Sequence, residues 1–561
     1  MLNNIINSAL GNEKADLVLK NGKIIDVLGH KIVEGNVAIK DGVIVGIGDY
    51  EGINEVDVKG AYIAPGFVDS HIHIESAMVT PSQYAVAVMP KGVTTIIADP
   101  HEIANVKGEE GLAFMINDSK NAPLEVHYML PSCVPATPFD HSGCVIDGDK
   151  TIELINKYDF LGLGEMMNYP GVTACVPDVI KKLESTTYID GHGPMLKGKE
   201  LNAYACGGIR NDHECSTAEE ALDKISCGFD IFVREGTGAK NLDELMKAVT
   251  PYNLRHFAFC TDDKHPAEVV KEGTISLCID KAIKLGYDPI DAYTMACYNS
   301  CVSYNLGRKG AIACGFDADI VVTRDINSTQ IEQVYKKGVL VAENGRALFS
   351  VPKSDISTVS NTVNIDEIKP DDLHIDFNSK DIVISLNEGS LITDGVYCDS
   401  SEGLSMCANI ERHHKTGNIG KCFVKGLDIT NGAIAQTIGH DSHNISVIGS
   451  DSDNMAVAVN ALGTQGGIAV VNNNKVVAKM ELPVGGIMSD KAIDDVVREH
   501  NHIVEMAKSL SPKGSNETLM ILGFISLLVI PHFKLGDKGV FNVDEFKFVW
   551  YIDKNNWLLI F

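Results

Sequence analysis

His71 and His73 stand two residues apart in Val68-Asp69-Ser70-His71-Ile72-His73, at the point where an apolar run ends. Side chains two apart on a β-strand share a face, so this spacing aims two imidazoles at one spot. Neutral imidazole ligates zinc, iron, nickel and copper, and a divalent cation is the chemistry the pair suggests. Further donors close later apolar runs: Glu165 after Phe160-Leu161-Gly162-Leu163-Gly164, His192 after Tyr188-Ile189-Asp190-Gly191, His213 after Asn211-Asp212, and Asp262 after Phe259-Cys260-Thr261. A carboxylate has two oxygens and joins metals about 3.5–4 Å apart, so His71, His73, Glu165, His192, His213 and Asp262 hold two divalent ions if Glu165 bridges them. Singly, each residue has a plainer reading: Glu165 as a turn carboxylate, His192 as a loop histidine, Asp262 as a helix N-cap. Their shared place at strand ends argues for one metal centre.

These donors require elements that converge. From Ile63 to about Tyr304, strand-like apolar runs alternate with helix-like stretches, the rhythm of parallel βα units. Eight candidate strands end near His73, Asp99, Leu130, Glu165, His192, His213, Glu235 and Asp262. That number in that length predicts a (β/α)₈ TIM-type barrel with its chemistry at the carboxyl ends of the strands. Ser216-Thr217-Ala218-Glu219 is read as a capping box, and Asn241-Leu242-Asp243-Glu244 as the start of another helix. Short β segments separated by Gly and Asp turns precede the barrel and return after it at Gly310 to Val322, which predicts a small β-sandwich built from both flanks. The expected α/β organisation is thus 1–63 and 308–350 for the sandwich, 64–307 for the barrel, and 351–561 for an additional C-terminal α+β domain.

The net charge of −27, from 48 Lys+Arg against 75 Asp+Glu and with no basic cluster, argues against a nucleic-acid partner and for a small-molecule substrate. The first residues lack the charged-then-apolar layout of a secretory signal. The longest apolar run, Leu519 to Ile530, is too short for a bilayer, which needs about 20 residues. A cytoplasmic protein that does not engage membranes and forms a homo-oligomer is expected. The 14 cysteines include no Cys-x-x-Cys pair, which speaks against a zinc ribbon, a dithiol redox site and the zinc-deaminase signature that couples His-x-Glu to Pro-Cys-x-x-Cys.

The chain resembles the amidohydrolase superfamily and, within it, the adenine deaminases, over nearly its whole length. The resemblance rests on Pro65-Gly66-Phe67-Val68-Asp69-Ser70-His71-Ile72-His73-Ile74-Glu75-Ser76, Ala98-Asp99-Pro100-His101-Glu102-Ile103-Ala104-Asn105-Val106, Asp190-Gly191-His192-Gly193-Pro194, Arg210-Asn211-Asp212-His213-Glu214-Cys215, Arg234-Glu235-Gly236 and Cys260-Thr261-Asp262-Asp263-Lys264-His265-Pro266. His440-Asp441-Ser442-His443-Asn444 and Gln465-Gly466-Gly467 also look like that family. Hydantoinase-like relatives carry a carboxylated lysine where this chain has Glu165, a departure that points away from cyclic amides. The segment Trp550 to Phe561 looks like an extension beyond the family pattern.

The resemblance implies hydrolytic removal of the 6-amino group of adenine, with two divalent ions, manganese or iron favoured and zinc within the donor set's range. His71, His73, Glu165 and Asp262 are expected to hold one ion, and Glu165, His192 and His213 the other. Asp262 is the expected general base and acid. Glu235 is the candidate proton donor to ring nitrogen N1, its alternative being a salt bridge to Arg234 or a nearby lysine. Glu75, Ser76, Asp99, His101 and His443 are the candidate purine contacts, with Glu102, His440 and Asp441 in the same polar neighbourhoods of the sequence. A related amidohydrolase acting on a cyclic amide or another aminated heterocycle is the nearest alternative, and a non-catalytic barrel the more distant one.

Overall fold

The computed structural model describes residues 2–387, 390–511 and 518–549, so the terminal extension from Trp550 lies outside the described residues. The chain divides into two compact units. The first comprises the N-terminal hundred residues, Met115–Ser132 and Asp147–Ser354. The second is the chain from Asp355 onward together with His101–Phe114 and Cys133–Ile146.

In the first unit, β1 (Ala15–Asp26), β2 (Lys31–Lys40), β3 (Val43–Ile47), β4 (Gly52–Asp57) and β5 (Tyr62–Pro65) precede the barrel. After the barrel come β14 (Ile320–Asp325), β15 (Ser328–Lys336), β16 (Val339–Glu343) and β17 (Arg346–Ala347). Antiparallel pairing of β14 with β5 joins the two groups, so the flanks build one nine-stranded sheet. Leu19, Ile24, Val37 and Ile63 from the first flank share a core with Ile320, Val322 and Tyr335 from the second.

Between the flanks run β6 (Phe67–Ile72), β7 (Val93–Ala98), β8 (Glu125–Leu130), β9 (Gly162–Met166), β10 (Ile189–Gly191), β11 (Asn211–Asp212), β12 (Asp230–Arg234) and β13 (Phe257–Cys260). They pair in parallel as two arcs, β6 to β10 and β11 to β13. Single parallel bridges meet at both seams, Ile189 with Ile209 and Ile72 with Asp262, so the eight strands follow one another around a TIM-type barrel. Every residue of β6, β7, β9 and β13 is buried, as parallel strands covered on both faces require. One interior carboxylate is partnered across two of these strands. Asp69 accepts from the Thr261 backbone N–H at 2.9 Å and from its hydroxyl, which stitches β6 to β13. Burial pushes that carboxyl up to about 7.

Local signals held with one shift. The helix Ala218–Ser226 is capped by Thr217, whose hydroxyl accepts from Glu220 N, while Glu220 reaches back to the Ser216 N–H at 3.0 Å. The reciprocal pair therefore lies one residue later than the sequence pattern suggests.

The second unit carries an eight-stranded sheet that includes β18 (Val383–Leu386), β19 (Thr393–Val396), β20 (Leu404–Ile410), β21 (Ile419–Lys425), β22 (Gly432–Gln436) and β23 (Ile445–Gly449). Its core packs Ala408, Ala433, Val447 and Ala469 against Met455 and Val459 of the helix Ser452–Ala461. No helix among the described residues is long and apolar enough to cross a membrane.

Candidate active site

All six expected metal donors lie in the first unit at carboxyl ends of barrel strands, and the structure brings them together. The triads His71, His73, Glu165 and Glu165, His192, His213 each place one donor atom per residue within 4.8 Å of the others, as do His71, His213 and Asp262. Glu165 divides its oxygens between the two halves. Its Oε1 lies 3.4 Å from His73 Nε2, while Oε2 lies 2.6 Å from His192 Nδ1 and 3.2 Å from His213 Nε2. Asp262 Oδ1 stands 3.1 Å from His73 Nε2 and 3.7 Å from His71 Nε2. The two β6 histidines face each other at 3.2 Å between their Nε2 atoms.

Proton accounting tests whether this donor set suits a cation. His73 Nδ1 donates to the Asp99 carbonyl at 2.9 Å, and a carbonyl only accepts, so a neutral His73 presents the bare lone pair of Nε2 to the cluster. That lone pair faces carboxylate oxygens of both Glu165 and Asp262. Lone pair against carboxylate is repulsive unless a positive ion lies between them, and a ligand histidine anchored through its other nitrogen is the usual arrangement around a metal. Burial, with the His213 and His73 rings beside it, holds His71 well below the usual histidine range. The residues fit a pair of divalent ions.

The supports explain why each donor points where it does. Asp99, at the end of β7, accepts from the Glu165 backbone N–H at 2.9 Å. The approach is so close that a Cβ on Gly164 would meet the Asp99 carboxylate at 2.2 Å, which makes glycine obligatory there. Asn241 gathers β11 and β12, donating to the carbonyls of His213 and Cys215 and accepting from Arg234 N at 2.7 Å. Asp262 itself has φ of 59°, a left-handed conformation that aspartate tolerates better than most residues and that is often found at functional positions.

Arg234 carries a function that the sequence reading did not assign. Its buried guanidinium donates to Asp262 Oδ2 at 2.7 Å and to Glu214. Burial alone would raise Asp262, but Arg234 first, then His73 and His213, hold its carboxyl well below the ordinary range. Asp262 is thereby an ionised carboxylate with one oxygen clamped and the other turned to the histidines. The only sequence cue was an arginine ending an otherwise apolar strand.

Glu235 is the expected proton donor to N1, at the end of the strand Asp230–Arg234. It is buried, yet its Oε1 accepts from Lys281 Nζ at 2.5 Å. The salt bridge to a nearby lysine, the alternative to the proton-donor role, is thus present in the structure. Glu235→Gln is expected to lower kcat by about 10²-fold or more with bound metal unchanged if Glu235 is the acid; lower thermal stability with kcat within about tenfold of wild type would leave it only the salt bridge.

The expected purine contacts are divided between the two units. Glu75 and Ser76 occupy the short turn Ile74–Ala77 directly after His73, where the Ser76 hydroxyl donates to Asp263. His101 and His443 belong to the second unit, and each turns Nε2 toward Glu102.

Comparison with known proteins bears on this geometry. The Amidohydrolase family model matches residues 62–233 and 233–341, and the Adenine deaminase C-terminal domain model matches residues 385–547. A protein named adenine deaminase from Clostridium acetobutylicum is 42% identical over 97% of this chain and 99% of its own length. Another of that name from Petrotoga mobilis is 43% identical over 96% of this chain and 98% of its own. A third, from Listeria monocytogenes, is 40% identical over 96% of each.

Proposed function

The chain belongs to the adenine deaminases, and from that premise we propose that it hydrolyses adenine, replacing the 6-amino group with oxygen to give hypoxanthine and ammonia. The observation that carries the reading is the division of Glu165 between two histidine groups beside an ionised Asp262. His71, His73, Glu165 and Asp262 hold one divalent ion, and Glu165, His192 and His213 the other. Manganese or iron is favoured for an all-imidazole and carboxylate set of this family, with zinc also accommodated. Bound there, the ions make hydroxide available near neutral pH, which the poorly electrophilic carbon 6 of a purine needs.

The chain's own residues supply the rest. Asp262 accepts the proton released as water adds to carbon 6 and hands it to the departing amino nitrogen, the double duty of a general base and acid. Arg234 holds the other Asp262 oxygen, so the accepting one keeps its orientation through both transfers. Asp99 is a positioning residue, acting through the Glu165 backbone. Glu75 and Ser76, on the turn after His73, are the residues proposed to meet purine nitrogens.

The test is turnover against metal loading. Protein stripped by a chelator and reconstituted with Mn²⁺ is expected to convert adenine to hypoxanthine, read by absorbance and ammonia release, with activity rising to a plateau at the second equivalent bound in the barrel. Fully loaded protein that left adenine untouched while hydrolysing a ureide or cytosine would overturn the proposal.

A further inference from the structure

A second group of metal-competent side chains lies wholly within the second unit. Glu102 and His101 open the helix His101–Ser119, and His440, Asp441 and His443 come from the connection between β22 and β23. Glu102 Oε1 is 2.5 Å from His440 Nδ1 and 3.5 Å from His101 Nε2. Asp441 Oδ1 lies 3.9 Å from His101 Nε2 and 4.0 Å from His440 Nδ1. Glu102 Oε2 contacts His443 Nε2. Glu102, His101, Asp441 and His443 are each at most 4% exposed.

Donor atoms about 2.1 Å from a tetrahedral ion stand about 3.4 Å apart, so the spacings among Glu102, His101, His440 and Asp441 admit one ion after small side-chain shifts. Two carboxylates and three imidazoles in so small a buried volume match a divalent charge, because a neutral imidazole adds a lone pair without adding charge. A second observation points the same way. With Nε2 of His443 directed at Glu102, its Nδ1 is buried and has no hydrogen-bond partner, whereas buried polar atoms that serve only packing are normally satisfied.

The loop bearing these donors is held from behind. Arg412 is fully buried and spends its guanidinium on the carbonyls of His443 and Gly485, the latter at 2.9 Å, and on the Thr362 hydroxyl. Its neighbour Glu411 turns away to accept from the backbone N–H groups of His413, His414 and Thr416. The His440 ring stacks on Phe524 with centroids 4.3 Å apart. Donors fixed in this way suit a preorganised ion site.

We propose that Glu102, His440 and Asp441, with His101 and His443 available to Glu102 or the ion, form a further site for a divalent first-row transition ion in the second unit. The donor set contains no thiolate, which favours Mn²⁺, Fe²⁺ or Zn²⁺ over softer ions. Its occupancy ties the start of the His101 helix to the loop between β22 and β23.

The experiment is metal stoichiometry on the full chain, by elemental analysis and by titrating chelator-stripped protein with Mn²⁺ and Co²⁺. Wild-type protein is expected to bind three equivalents. His440→Ala/His443→Ala is expected to bind two, with the barrel pair and its Co²⁺ absorption bands retained. In the converse arm His71→Ala/His73→Ala removes donors of one barrel ion, leaves Glu165, His192, His213 and the second unit intact, and is expected to keep two equivalents, one of which Glu102→Gln then removes. Wild-type saturation at two equivalents, or no equivalent sensitive to Glu102→Gln in the His71/His73 variant, would overturn the site, and the second arm decides the matter even if the first variant fails to fold. A failure of the barrel reading looks different, since the His71/His73 variant would then bind as much metal as wild type.

Discussion

Asp262→Asn is expected to lower kcat for adenine deamination by about 10³-fold, within the range that loss of a general acid and base costs. Asparagine keeps the shape of the side chain and an oxygen that can face His73 or accept from Arg234, but it cannot take a proton from attacking water. The structure makes the loss specific to proton transfer. Arg234 holds Asp262 Oδ2 at 2.7 Å, so the residue's orientation does not depend on its charge alone. Because Asp262 is also a proposed ligand, the measurement pairs kcat at saturating Mn²⁺ with bound metal. Full metal content with kcat depressed by orders of magnitude identifies the base. Full metal content with kcat within tenfold of wild type would remove Asp262 from the proton transfers.

Much of this site was legible in the sequence because parallel strands buried on both faces leave continuous apolar runs, and a polar residue at the end of such a run stands out. His71, Glu165, His192, His213 and Asp262 were all found in that way. Pairings across strands left no such mark. Arg234 meets Glu214 and Asp262 because β11, β12 and β13 are adjacent in space, and nothing in the local pattern of Arg234-Glu235 says which of the two charges enters the site. Glu235 shows the same limit, since its ion-pair partner Lys281 lies far along the chain in the helix Ile275–Lys284. The division of the chain was hidden for a different reason. His101–Phe114 and Cys133–Ile146 join the second unit although they interrupt the βα rhythm of the barrel, and no change of composition flags them. The backbone does mark the departure: Gly108 breaks the helix His101–Ser119 with φ of 52° and ψ of −130°. A glycine within a helical stretch is a weak cue that becomes informative only once its conformation is known.

Glu165→Gln should separate a bridging carboxylate from one that merely packs among histidines. Glutamine has the same length and one oxygen, but its second terminal atom is an N–H donor with no lone pair for a metal. In the structure the two Glu165 oxygens serve opposite sides, Oε1 at 3.4 Å from His73 and Oε2 at 2.6 Å from His192. Whichever way the amide turns, one side loses its anionic ligand, and the group loses one negative charge. Bound metal in the barrel is therefore expected to fall from two equivalents to one or fewer, and kcat by at least about 10³-fold, since a hydroxide near neutral pH depends on both ions. The backbone N–H of residue 165 still donates to Asp99, and Gly164 still fits beneath it, so the strand end has no reason to unfold. Comparison with Glu165→Asp sharpens the result, because aspartate keeps both oxygens while drawing them back by one methylene. Partial metal retention in the aspartate variant against loss in the glutamine variant assigns the effect to the second oxygen. Two equivalents retained with near-normal turnover in Glu165→Gln would show that the ions are not joined through this residue, and the paired-ion reading of the barrel mouth would fall with it.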